Sequence, residues 1–251
     1  QALNAHQISR TDMARMGQWS EHNFVGVRCG IMDQFANMMG KENHVIQLDC
    51  RSMEYQYLPI DLSQHAIVLF NSGVKHSLAS SEYNIRRAEC EEGVHILART
   101  NREIKSLRDA SLADINSVRK QVSSQVFNRC KYIIEEIERV EQASADLQRG
   151  DLVSFGKRMF ETHEGLSTLY EISCKELDFL VSRAREKPEV LGARLMGGGF
   201  GGCTINIVQQ STVNRVIDSM RADYYKQFGI EAEVYTAQIT GGTSLVSGND
   251  I

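Results

Sequence analysis

Two short runs near the start of the chain, "HVIQLD" (44–49) and "MEYQYL" (53–58), alternate apolar with polar residues. This is the period of an extended backbone with one covered face, and it predicts a pair of half-buried strands around a turn at 50–52. Ahead of them lies a polar stretch, 1–23, whose Ala, Met and Arg content favours helix. Gly26 and Gly30 flank a turn into a second helix, on which Ile31, Phe35, Met38 and Met39 share one face at i, i+4, i+7, i+8 spacing. The unbroken apolar run "AIVLF" (66–70) predicts a fully buried strand. From 77 to 187 the period is helical: Ile133, Ile137, Val140 and Leu147 form one stripe, and Leu152, Phe155, Met159, Leu166 and Tyr170 another after a break at Gly150-Asp151. Ser173 and Glu176 have capping-box spacing ahead of Leu177, Leu180, Val181 and Ala184. Strands at 192–196 and 204–208, a helix carrying Val213, Val216, Ile217, Met220 and Tyr224 up to Gly229, and a strand at 232–239 complete the order. The second half therefore reads β-α(n)-β-β-α-β, an α+β class chain with the split ferredoxin-like pattern and extra helices inserted.

Composition narrows the class without changing this picture. With 42% apolar and 24% charged residues over 251 positions, the chain is ordinary globular material for one or two domains. A formal net charge of −4 supplies no basic footprint for a phosphate backbone, so no nucleic acid is expected as partner. The longest apolar runs fall far short of the roughly 20 residues that span a bilayer, and no membrane is expected either. The six cysteines are irregularly spaced with no Cys-x-x-Cys pair, which argues against zinc and against a disulfide framework, and suggests reduced thiols in a cytoplasmic protein. The seven histidines form no helical metal-binding pair. No feature indicates an obligate protein partner. The opening residues, with neither an initiator Met nor an apolar signal stretch, read as the interior of a longer protein.

Three stretches carry candidate chemistry. In "ARLMGGGFGGCTINIV" (193–208), Gly197, Gly199 and Gly202 formally satisfy G-x-G-x-x-G, but a dinucleotide fingerprint must open a helix, and "CTINIV" is strand. What remains is a glycine-rich turn between strands. It is either a tight bulged connection or a place where bare backbone at Gly197, Gly198, Gly199, Gly201 and Gly202 approaches a ligand. In "GVRCGIMDQFANMMGK" (26–41), Asp33 lies three residues after Gly30, off the apolar stripe. It either complements the helix N-terminus or serves as a carboxylate that orients a hydroxyl or takes its proton. In "NSGVKHSLASSEYNIRRAEC" (71–90), a buried strand passes through a small polar turn into a helix, with Tyr83 available for packing or for a pocket wall. His163, on an apolar stripe, reads as a satisfied buried histidine.

Taken together and in this order, "CGIMDQF", "NSGVKHSLASSEY" and "GARLMGGGFGGCT", with "YEISCKELDFLV" (170–181) between the last two, resemble the galactokinases of the GHMP small-molecule kinase family. The likeness runs through nearly the whole chain. It implies the end of an N-terminal domain resembling ribosomal protein S5 (1–64), then a ferredoxin-like C-terminal domain (65–251), with ATP and sugar bound between them. It further implies ATP-dependent phosphorylation of the anomeric hydroxyl of D-galactose, with Asp33 as the catalytic aspartate, Gly30 and Tyr83 at the sugar, and Glu21 associated with Mg²⁺. The 197–202 turn would lie by the phosphates and sugar, sharing a crevice with Asp33. Phosphoryl transfer relies mainly on positioning and charge stabilisation, which these residue types can supply. The family's first motif, a sugar-gripping Arg and Glu-His-x-Asp cluster, and its second, a Gly/Ser-rich ATP loop, are absent from these residues, so this span alone is expected to be inactive. Lys75 stands where some galactokinases carry arginine. A related kinase acting on N-acetylgalactosamine, and a non-catalytic regulator that binds galactose and ATP, are the competing readings.

Overall fold

A computed structural model describes residues 7–74 and 79–244, and of 79–81 only the backbone. The described residues divide into two compact units: one takes those up to Asp61 together with those from Gln238 onward, the other Leu62–Ala237. The sequence reading carried its second domain on to residue 251.

The first unit opens with helix α1, Arg10–Ser20, whose N-cap Ser9 accepts a hydrogen bond from the Asp12 amide at 3.0 Å. The helix widens into a π turn at Glu21–Val25, which Gly26 stops at φ 78°. Helix α2, Met32–Met39, buries Ile31 and Phe35 beside Ala14 of α1, with Met38 and Met39 half-buried on the same stripe, as their spacing predicts. Strands β1, His44–Leu48, and β2, Tyr55–Pro59, form an antiparallel pair. Residues 238–244 rejoin this unit, where the Gly242 and Thr243 amides donate to Gly40 and Asn37 carbonyls at 2.8 and 2.7 Å.

The second unit is built on a four-stranded antiparallel sheet of β3 (His65–Asn71), β4 (Val190–Leu195), β5 (Cys203–Gln209) and β6 (Glu233–Ala237), in the spatial order β4-β5-β3-β6. With helices between the first and second and between the third and fourth strands, this is the ferredoxin-like arrangement that the order of apolar segments predicts. Helices α7 (Lys175–Arg185) and α8 (Val213–Phe228) cover one face, meeting Ala66, Val68 and Phe70 of β3 in the largest core. The expectation of a strand buried on both faces fails here. Ile67 and Leu69 point the other way and are only half-buried, because both covering helices lie on one side.

Between β3 and β4 the chain inserts α3 (Ala79–Thr100), α4 (Leu112–Ser117), α5 (Ser124–Gln148) and α6 (Leu152–Thr168). Leu97, Ile115, Val126, Cys130 and Ile134 of α3 to α5 share a separate core. The buried side of α5 runs through Val126, Arg129, Cys130, Tyr132 and Leu147, whereas the predicted stripe included Val140, which is 47% exposed. The helix is covered on more than one side, so a single-stripe reading misplaces its face. Tyr170 likewise falls beyond α6. The predicted capping box before α7 is not formed: Cys174 is the N-cap, and Ser173 donates instead to Asp178 at 2.6 Å, one turn inside the helix.

Candidate active site

In the first unit the site is organised around a single carbonyl. Gln18 Nε2 of α1 and His22 Nε2 of the π turn both bond the Cys29 oxygen, at 3.1 and 2.8 Å, which ties the 27–30 loop to the helix before it. That loop ends at Gly30 and delivers Asp33 into the first turn of α2, on the side opposite Ile31 and Phe35. Asp33 is exposed, and no hydrogen bond or ion pair engages its carboxylate among the described residues. Glu21, at the start of the π turn, is half-buried. Burial pushes the Cys29 thiol pKa up, and the negative charges of Glu21 and, more weakly, Asp33 add to the rise, so both carboxylates stand near one thiol. Glu21 and Asp33 are thus brought to the two sides of one loop. Among the described residues no atom outside the adjacent chain lies within 4 Å of where a Gly30 side chain would begin, and none of them demands glycine there.

In the second unit the glycine-rich stretch is a hairpin joining β4 to β5, closed by the Met196 amide on the Cys203 oxygen at 2.9 Å. Gly197, Gly199, Phe200, Gly201 and Gly202 all have positive φ. Two glycines are required by crowding: a Cβ on Gly199 would sit 2.1 Å from the Ile172 oxygen, and one on Gly201 2.4 Å from the Val74 oxygen. Gly198 differs from both. Its φ is ordinary, and among the described residues a Cβ there would meet only Tyr83 Cδ2, at 3.8 Å. Tyr83, in the first turns of α3, therefore stands beside bare hairpin backbone, which brings two sequence-predicted site elements together. The hairpin is moored at its middle and at its end, with Phe200 N donating to Ile172 O at 2.6 Å and both the Ser72 amide and hydroxyl donating to Gly202 O at 2.9 Å.

Behind the hairpin lies a buried polar scaffold that hydropathy does not reveal. Arg86 of α3 donates from Nε to Tyr170 O and from Nη2 to Glu171 O, both at 2.9 Å. Arg129 of α5, 2% exposed, reaches Leu169 O, the Glu171 carboxylate at 2.6 Å and the Glu89 carboxylate at 3.0 Å. Burial alone would lower the Arg129 pKa, but its bonds to Glu171 and Glu89 outweigh that and raise it. His163 is buried at 4% exposure: the Leu195 amide donates to Nδ1 at 3.2 Å, which leaves the proton on Nε2, 3.1 Å from Asp178. Burial would raise the Asp178 pKa, yet the neighbouring His163 imidazole and hydrogen bonds from Ser173 and Ser167 hold it below the usual carboxylate range. His163 is therefore a positioned core residue, as read from the sequence.

Gln18, His22, Arg86 and Arg129 escaped sequence reasoning, since each acts on backbone oxygens that only the fold brings near. Lys75 lies outside the described residues. Among the described residues no group of three or more His, Cys, Asp or Glu is placed to hold a metal ion, and no helix is long and apolar enough to cross a membrane. None of the six cysteines, all of them among the described residues, forms a disulfide.

A ferredoxin-like unit with inserted helices and a glycine hairpin, joined to a unit that presents a helix-borne carboxylate, defines the class of GHMP small-molecule kinases. Residues 143–226 match the family GHMP kinases C terminal, and residues 1–41 the GHMP kinases N terminal domain. The Homo sapiens galactokinase is 40% identical over 93% of this chain, which spans 57% of that relative's length. The Thermotoga neapolitana galactokinase is 36% identical over 98% of this chain and 68% of its own length. A crystal structure of Lactococcus lactis galactokinase complexed with galactose superimposes with TM-score 0.90 at 31% identity, covering 95% of this chain and 62% of that one. The chain belongs to the galactokinases of the GHMP kinase family.

Proposed function

We propose that the complete protein transfers the γ-phosphoryl group of ATP to the anomeric hydroxyl of D-galactose, giving galactose 1-phosphate and ADP. In this reading the Asp33 carboxylate accepts a hydrogen bond from that hydroxyl, orients its oxygen for in-line attack and takes up the proton as the new P–O bond forms. An exposed carboxylate with no hydrogen-bond or ion-pair partner among the described residues is suited to that role. Gly30 leaves room for the sugar beside the helix start, and Tyr83 packs against it. The 197–202 hairpin offers peptide groups, rather than side chains, to a ligand. Glu21 offers one oxygen ligand for Mg²⁺, which suits an ion that is commonly bound by one or two carboxylates with phosphates and water completing its shell. When bound, Mg²⁺ would neutralise charge developing on the phosphates. Glu21 opens the π turn, and the bonds of Gln18 and His22 to the Cys29 carbonyl tie that turn to the loop ahead of Asp33, which supports a shared role for the two carboxylates.

The observation that carries this reading is the likeness to the galactose-bound L. lactis enzyme, at TM-score 0.90 and 31% identity over 95% of this chain. The test uses the complete protein with ATP and Mg²⁺, offered galactose or N-acetylgalactosamine, with sugar phosphate detected by ³¹P NMR. Galactose 1-phosphate is expected, and Asp33→Asn should lower kcat by about 10²-fold or more with sugar binding retained. Preferential turnover of N-acetylgalactosamine, or binding of galactose and ATP with no product, would overturn the assignment.

A further inference from the structure

The glycine hairpin is positioned by a segment that is itself held in place. Its central amide, Phe200 N, donates to Ile172 O at 2.6 Å, and Gly199 lacks a side chain because the same oxygen occupies that space. Any drift of Ile172 O therefore moves the hairpin backbone. The three carbonyls that precede Ile172 all end on two buried guanidinium groups: Leu169 O on Arg129, and Tyr170 O and Glu171 O on Arg86. Glu171 lies at φ 53°, a conformation that a non-glycine residue adopts only when its surroundings impose it, and its carboxylate is bound by Arg129 at 2.6 Å. Glu89 links the pair, 3.0 Å from Arg129 and 3.8 Å from Arg86. Arg86 also lies over the Phe200 ring, 5.7 Å from its centroid, and it sits on α3 one turn after Tyr83. One side chain thus touches the helix that carries Tyr83, the 169–172 segment and the hairpin.

We propose that Arg86 and Arg129 are positioning residues for phosphoryl transfer. By fixing three successive carbonyls they hold Ile172 O, and through it the hairpin at 197–202, against Tyr83. A planar fork that donates from two nitrogens to adjacent carbonyls cannot be replaced by a lysine's single point of donation, so the geometry requires arginine at 86. The kinetic part of the proposal rests on the galactokinase reading; the mechanical part does not.

The experiment follows that division. In this chain, amide hydrogen exchange is compared between wild type, Arg86→Lys and Arg87→Met, where Arg87 pairs with Glu91 on the exposed side of α3. Arg86→Lys should accelerate exchange at Phe200 by about tenfold or more, with Val68 and Val208 in the sheet unchanged, while Arg87→Met should leave Phe200 unaffected. Equal acceleration at all three amides, or none at Phe200, overturns the proposal whether or not the chain belongs to an active kinase. In the complete protein, Arg86→Lys should lower kcat about tenfold with the KM for galactose moving less than about threefold. Should Arg86→Ala fold, ethylguanidine should restore part of the lost rate; loss of kcat without such rescue in a folded Arg86→Ala protein counts against it. If wild type makes no sugar phosphate, the functional reading fails while the exchange result still decides the mechanical one.

Discussion

Gly198 and Gly199 are adjacent, identical and in one motif, yet the structure separates their roles. Gly199 is glycine because the fold demands it: φ is 79°, and a Cβ would lie 2.1 Å from a backbone oxygen that cannot move without dragging the 169–172 segment. Gly198 has an ordinary φ and room beside Tyr83 at 3.8 Å, so no neighbour among the described residues excludes a methyl group. In the proposed function, a bare position that the described fold does not require is one where a ligand would come close. Gly199→Ala is accordingly expected to destabilise by about 1–3 kcal/mol or more, from strain and overpacking together. Gly198→Ala should keep stability within about 0.5 kcal/mol and yet lower kcat/KM of the complete protein. Thermal denaturation of both variants beside their kinetics decides it, and equal loss of stability at the two positions would remove the distinction. Gly30, equally unconstrained, belongs with Gly198 in this respect.

At the scale of elements, α6 shows how a helix is placed by what it lacks. The edge strand β4 is covered by the backbone of α6: a Cβ at Gly156 would be 2.2 Å from Leu191 O, and one at Gly192 would meet Gly156 in turn. An exposed sheet edge would otherwise offer unpaired amides to other chains. Alanine is the better helix former by about 1 kcal/mol, so propensity alone predicts that Gly156→Ala stabilises. The contact predicts the opposite: a net loss of about 1–3 kcal/mol, read as a lower urea midpoint, because neither backbone can yield without breaking the β4 pairing. The same helix shows what was legible beforehand. Met159 and Leu166 stood out by hydropathy and are buried, while Gly156 and Gly165, which fix how closely α6 approaches β4 and Tyr132, carry no apolar signal. Arg129 on α5 was hidden for the converse reason, since a charged residue reads as solvated until the fold supplies Glu89, Glu171 and a carbonyl around it. Strand order and the α2 and α8 faces were readable because each depends on local period alone; the scaffold behind the hairpin was not, because the contacts that tie Arg86 and Arg129 to 169–171, and Arg129 to Glu89, join residues 40 or more positions apart.

For the whole molecule, the two units differ in how much core each encloses. The second has a sheet-and-helix core of fourteen buried side chains, and helical cores besides. The first centres on Ala14, Ile31 and Phe35, a two-stranded sheet and several half-buried neighbours, while Met16, Trp19, Phe24, Val25 and Met32 are each more than half exposed. Apolar burial is the main term opposing chain entropy, so the first unit of this chain should be the weaker of the two. The chain's single tryptophan, Trp19, lies in that unit, edge-on to Phe24 at 5.7 Å, whereas most of the helix lies in the other. Two optical probes therefore read two different parts of one polypeptide. In a urea titration of this chain, tryptophan fluorescence should change at a lower denaturant concentration than far-UV circular dichroism, and the Gly156→Ala variant should shift the second transition while leaving the first in place. Coincident midpoints, moving together in the variant, would mean that the small core of the first unit is no measure of its stability and that the chain unfolds as one cooperative body.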